Sequence, residues 1–268
     1  MDTHIRRVYS GSVFGVATSS AIRALSPLAL AGLTAAAGCT GQPAPMDAHS
    51  TPDAAASGHE CTTLADGEVD VPAAGTYYAS IFDVKSDLEP TPPRAHPASM
   101  YYTIDGQHVI ELTDGTRLTM NAGEGGFTAD GVPHTHINPG PATNDWWALS
   151  VGSSSQRAAS PPVPGSTWVY QSADFDMSGG PHSLSLIKCE LKSGGIGPLE
   201  RHAGEAFLVT LSGTVQVEIA DQAPQSLIRE SGSHISSGTE YRTTAPAEAA
   251  SYLLFQVTPE VATPSRSP

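Results

Sequence analysis

The stretch 123-GEGGFTADGVPHTHIN-138 decides how the rest of the chain reads. Its glycines at 123, 125, 126 and 131 can take the positive φ that tight turns between antiparallel strands demand. Beyond Pro133, the residues His134, His136 and Asn138 alternate along an extended segment, so their side chains share one face. On a closed β-barrel that face is either the interior or the outside. An interior position leaves two readings open: polar residues bonded to one another and to water, or imidazoles that ligate a metal, since neutral imidazole suits both.

Short strand-like runs separated by turn residues surround this stretch. Before and after it come TYYASIFDV (76–84), MYYTI (100–104), HVIEL (108–112), RLTM (117–120) and DWWALSV (145–151). A Ser- and Pro-rich connector, GSSSQRAASPPVPGS, occupies 152–166. Strands then resume with TWVYQ, SLSLIKCEL, AFLVTL, TVQVEI and SYLLFQV. The second half repeats the first. A shift of 107 carries Arg94 onto Arg201, Gly106 onto Gly213, Gly125 onto Gly232, Gly131 onto Gly238 and His134 onto Tyr241. With one residue dropped in a loop, DWWALSV falls on SYLLFQV. Turn glycines and strand edges matching at one offset indicate a duplicated unit of about 90 residues.

The spacing from Gly123 through Gly131 and His134 to Asn138 resembles the second signature of the cupin superfamily, with Ala129 where the family has proline. Together with the duplication, the chain resembles a bicupin. That resemblance implies an all-β fold of two tandem cupin (jelly-roll, or double-stranded β-helix) barrels. They are expected at 62–152 and 167–258, with a linker at 153–166 and a flexible tail at 259–268. The family's other signature, His-x-His followed by Glu and then Gly, is met in part. Gly106 and Gly213 take the glycine position, but the glutamate position falls on Ser99 and Ala206. In the second unit Glu200 and His202 stand at the two histidine positions, and Glu205 lies one residue off the glutamate position. In the first unit His96 is one residue out of register, where Pro97 can introduce a bulge that swings it inward.

The resemblance therefore points to His96, His134 and His136 as ligands for one divalent transition metal in the first barrel, Zn, Fe, Ni or Cu. Asn138 and Tyr101 are expected to line that pocket. The second barrel, with Tyr241 replacing the histidine, is expected to have lost metal binding, because a phenol of pKa about 10 is a poor ligand near neutral pH. Its Glu200, His202 and Tyr241 form either a pocket lining or a strand-end cluster. One member of each aromatic pair, Tyr101/Tyr102 and Trp146/Trp147, should enter the barrel and the other cover its outside. His108, just past a turn, is assigned to the surface. Strand parity does not place Glu111 or Glu124 inside.

At the N-terminus, Arg6, Arg7 and Arg23 precede an apolar run from Leu28 to Ala37 and then Cys39. This resembles a lipoprotein-type export signal over 1–38 with Cys39 as the lipidated residue. It implies an exported protein anchored in the bacterial cell envelope, on its periplasmic or extracellular face, with membrane contact only through the lipid. Residues 40–60, small, polar and Pro-rich, read as a disordered tether that leaves His49 and His59 in solvent. Cys61 and Cys189 are the other two thiols, and they form either one disulfide or two separate buried residues.

A formal net charge of −14 without any basic patch argues against nucleic acid as a partner. Neither a Gly-x-Ser-x-Gly elbow nor a phosphate-cradling loop ending in Lys-Ser/Thr is present. The expected function is small-molecule or partner binding by an exported bicupin lipoprotein with a degenerate metal site. The alternative is a metal-dependent enzyme, oxygenase or isomerase-like, working from His96, His134 and His136. Pairing of outer strands into a homodimer is compatible with either.

Overall fold

The computed structural model describes residues 57–86 and 89–260. The leader, Cys39 and the tether up to residue 56 lie outside the described residues, as does the tail from 261. The first half contains β1 (Ser57–Val71), β2 (Gly75–Ser86), β3 (Ser99–Asp105), β4 (Gln107–Leu112), β5 (Arg117–Asn121), β6 (Gly125–Thr128), β7 (His134–Ile137) and β8 (Asn144–Ser153). A single 3₁₀ turn, Ser154–Gln156, leads into β9 (Thr167–Gln171), β10 (Phe175–Met177) and the long β11 (Gly180–Ile196). The second half continues with β12 (Glu200–Arg201), β13 (Glu205–Ser212), β14 (Thr214–Ile219), β15 (Gln225–Ile228), β16 (Gly232–Ile235), β17 (Glu240–Thr244) and β18 (Ala250–Pro259). The described chain is all-β, as the alternating patterns and turn spacings require.

The duplication holds strand by strand. Moving from Gln107 to Thr214 takes β4 onto β14, and from Gly125 to Gly232 takes β6 onto β16, both shifts of 107; β8 to β18, Asn144 to Ala250, is 106. In the first half β10-β2-β8-β3-β6 form one sheet, with β9 also on β2, and β5-β4-β7 form a second. In the second half the corresponding strands run β15-β14-β17-β11-β18-β13-β16, the two layers being joined where Ile196 of β11 meets Thr244 of β17.

Two segments cross between the halves. Strand β1 pairs along β11, and β9 and β10 pair with β2, so each half completes the other's sheet. Residues 57–60, expected in the tether, are instead the first residues of β1. His59 is accordingly not in free solvent: it is half-buried, with Nε2 3.0 Å from the Tyr252 hydroxyl. The crossing brings Cys61 directly opposite Cys189, and the two are disulfide-bonded.

The aromatic pairs divide as parity demands, but neither face is outside. Tyr101 and Trp146 pack with Ile110 and Met120 in the interior of the first barrel. Tyr102 and Trp147 lie in a core shared by both halves, with Leu186, Phe207 and Phe255. Each large apolar side chain buried there contributes about 1.5–3 kcal/mol of transfer free energy, so the halves stabilise one another. The glycines of the opening stretch also divide. Gly123 and Gly131 do take positive φ, 88° and 68°. Gly125 and Gly126 sit in β6 and are needed for space: a Cβ on Gly126 would lie 2.6 Å from Leu118 Cδ2 and from Met120 Sδ.

Candidate metal centre

Strand β7 carries His134 and His136 on its buried face, as their spacing implies. His96 reaches the same point from a non-strand segment. Arg94 forms an isolated bridge with His134, its N–H donating to the His134 carbonyl at 3.0 Å and its carbonyl accepting in return at 3.1 Å. The chain leaves this bridge before β3 begins at Ser99, and the irregular interval turns the His96 ring inward. The ligating atoms of His96, His134 and His136 lie within 4.8 Å of one another. The group can hold a metal ion.

Hydrogen bonding at the far side of two rings strengthens the case. His96 Nδ1 donates to the Pro97 carbonyl at 2.8 Å, and His134 Nδ1 to the Val132 carbonyl at 2.7 Å. A carbonyl only accepts, so each bond fixes the proton on Nδ1 and leaves Nε2 with a bare lone pair. Those two Nε2 atoms face each other at 2.8 Å. Two acceptors at that separation repel unless a cation or a donor stands between them. The Tyr101 hydroxyl, 3.1 Å from His96 Nε2 and 3.4 Å from His134 Nε2, can satisfy one of the two lone pairs. Metal-ligating histidines characteristically donate their second N–H to a carbonyl or carboxylate in this way. Tetrahedral ligation with bonds of about 2.0–2.1 Å sets neighbouring nitrogens about 3.3 Å apart, so the two rings would separate by roughly 0.5 Å to admit an ion. The residues present fit a divalent transition metal.

The third ring is held differently. His136 Nδ1 lies 2.9 Å from Nε2 of His108. His108 is not at the surface, as its place after a turn suggested, but completely buried, stacked on Trp146 with centroids 4.2 Å apart. Its position two residues before the core residue Ile110 on β4 was the available signal, since i and i+2 share a face. Burial, followed by the neighbouring imidazoles, lowers His108 to about 3 and His136 to about 2. His134 is lowered as well, chiefly by burial. All three are neutral at ordinary pH, the form that ligates metal.

A cavity of about 310 Å³ opens over this group. Its walls are largely apolar, with Phe82, Val84, Trp146 and Val163 among them, while Arg94, Lys85 and Glu89 bring charge to it. Ser99, at the family's glutamate position, lines it too, and Tyr101 enters as expected. Asn138 does not: its amide donates to the Ser86 and Ala142 carbonyls at 3.2 and 2.7 Å and its oxygen accepts from the Gly140 N–H, holding the loop after β7. Glu111 pairs with Arg117, and Glu124 accepts from Asn121, both away from the cavity.

The structure does gather Glu200, His202 and Tyr241 in the second half, but their bonds close on themselves. Gln256 donates to His202 Nδ1 at 3.0 Å, His202 Nε2 donates to the Tyr241 hydroxyl at 2.6 Å, and Tyr241 donates to Glu200 Oε2 at 2.7 Å. Both ring nitrogens of His202 are engaged, so that imidazole offers no free lone pair to a cation. Tyr241 is fully buried, and burial together with the Glu200 charge holds its phenol far above the usual range, in its neutral form. Glu205 takes no part in this chain; it pairs with His234 at 2.6 Å.

No family model matches the chain, and no curated protein is similar to it. Solved structures are. AerE from Microcystis aeruginosa is 12% identical, with 71% of this chain and 98% of that one covered at a TM-score of 0.50. A cupin 2 conserved barrel domain protein from Leptotrichia buccalis is 13% identical, with 72% and 89% covered and a TM-score of 0.42. Bacillus subtilis oxalate decarboxylase, a protein with Mn(II) centres, is 9% identical, with 75% and 78% covered and a TM-score of 0.48. Likeness at such identities concerns the fold alone. The tandem strand order and its offset of 107 make the described chain an all-β fold of two like halves, a fold it shares with AerE.

Proposed function

We propose that the first half binds a divalent transition metal through His96, His134 and His136 and uses it to hold a small organic acid. The observation that carries this reading is the pair of Nε2 lone pairs facing each other at 2.8 Å, each fixed by a carbonyl behind it. When bound, the ion supplies a Lewis-acidic point for an oxygen of the ligand. Arg94 and Lys85 favour an anionic end, and Phe82, Trp146 and Val163 suit an apolar body. The second half, both nitrogens of His202 engaged, serves as the scaffold that completes the sheets.

The test is metal analysis of untagged protein beside His134→Ala/His136→Ala. About one ion per chain in the parent and almost none in the variant is expected; equal, substoichiometric metal in both would end the proposal. Thermal-shift screening of the loaded protein against aliphatic and aromatic carboxylates then tests the ligand class, with Arg94→Ala expected to lose the response.

A catalytic role is a second reading, favoured by Tyr101. Burial keeps its phenol protonated, so it stands beside His96 Nε2 as a fixed proton donor. Turnover abolished by Tyr101→Phe with metal content unchanged would favour the enzyme over the binding protein. We further place the protein at the cell envelope on the strength of the leader-like sequence. Membrane fractionation of Cys39→Ser, expected to lose a lipid anchor, tests this.

A further inference from the structure

We propose that His108 is a positioning residue for the metal centre: it engages Nδ1 of His136, commits Nε2 of that ring to the ion, and changes tautomer together with it when the ion binds. This rests on the metal reading above and adds a member to the site that touches neither cavity nor ion.

His96 and His134 have carbonyl partners and therefore one available tautomer each. His136 has an imidazole partner instead, and imidazole can donate or accept. Two neutral rings carry two protons, and the 2.9 Å contact between His136 Nδ1 and His108 Nε2 needs one of them. The other sits either on His136 Nε2, which blocks ligation, or on His108 Nδ1, which permits it. His108 Nδ1 is buried and has no hydrogen-bond partner among the described residues. A buried N–H without an acceptor is costlier to tolerate than a bare lone pair. The metal-free protein therefore holds its free proton on His136 Nε2, and ion binding relocates it to His108 Nδ1. No proton is gained or lost by the pair. Trp146, stacked on both rings at 4.2 and 4.9 Å, keeps them coplanar enough for the bond to persist through the exchange.

The experiment is nitrogen-15 NMR of histidine-labelled protein, metal-free and zinc-loaded, with zinc affinity measured in parallel for wild type, His108→Leu and His108→Gln. In the wild type, His136 is expected to pass from Nε2–H to Nδ1–H with Nε2 on zinc, and His108 from Nε2–H to Nδ1–H. His108→Leu should weaken zinc binding about 10–100-fold, the range for lost partners of ligating histidines. His108→Gln, whose amide nitrogen and oxygen can each reach the same contact, should recover part of it. Zinc bound through His136 Nδ1, or His108 resonances identical in both states, would overturn the proposal while leaving the metal site standing. Should His108→Leu fail to fold, the wild-type spectra alone still decide. Wild-type protein that takes up no zinc overturns both readings at once.

Discussion

Acidification of the metal-free protein should destabilise it through its two buried imidazoles, and the slope can be worked from the site. His108 and His136 are lowered from 6.5 to about 3 and about 2, burial being the main cause in each. In the unfolded chain both take a proton below about pH 6.5, whereas in the fold both stay neutral. The unfolded state then binds more protons, so stability rises with pH across this window and is lost as pH falls. Each group contributes a slope of about 1.4 kcal/mol per pH unit. Over two units the pair costs about 5 kcal/mol, a large share of the 5–15 kcal/mol that ordinary domains possess. Urea unfolding of chelator-stripped protein, followed by tryptophan fluorescence from pH 7.5 to 4.5, measures this. His108→Leu should lower the slope by about 1.4 kcal/mol per pH unit, whatever its effect on stability at pH 7.5, because only the slope enters. Superimposable slopes for the two proteins would show that the rings accept protons in place and that burial does not control them.

Three other outcomes follow from the packing and charge. Burial, with the hydrogen bond to Asp145 and its charge, pushes the Asp83 carboxyl up to about 7. The folded state binds the extra proton between about 4 and 7, so stability falls as pH rises through that range, and Asp83→Asn should gain on the wild type over the same interval in denaturant titrations. Cys61→Ser opens a bridge spanning 128 residues and should cost about 2–5 kcal/mol, read as a lower urea midpoint that reductant no longer shifts. Gly126→Ala forces a methyl against Leu118 and Met120 and should cost about 1–3 kcal/mol, visible as a lowered melting temperature, while Gly115→Ala, with open space at its Cβ, serves as the comparison for a strained φ alone.

Much was legible because period and offset are local properties. Alternation puts His134 and His136 on one face and divides Tyr101 from Tyr102 and Trp146 from Trp147, and the offset of 107 aligns both halves; which face is buried is decided by the fold. Composition also kept Cys61 and Cys189 as a possible pair, although nothing local could bring them opposite one another. Proximity to a turn points His108 outward, whereas its parity with Ile110 on β4 carries it inside. Asn138 lies past the end of β7, where alternation no longer fixes direction and its amide finds three backbone partners.

The sequence by itself determined the doubled all-β architecture and nominated the three imidazoles, since strand periodicity and turn glycines are written into neighbouring residues. Tertiary structure alone decided the exchange of β1 against β9 and β10, the covering of Tyr102 and Trp147 by the other half, and the difference between the two centres. That difference depends on which acceptor stands behind each ring: carbonyls behind His96 and His134 free their Nε2 lone pairs, while Gln256, Tyr241 and Glu200 use up those around His202. Hydrogen-bond partners of this kind come together only through long-range folding, which no spacing along the chain records.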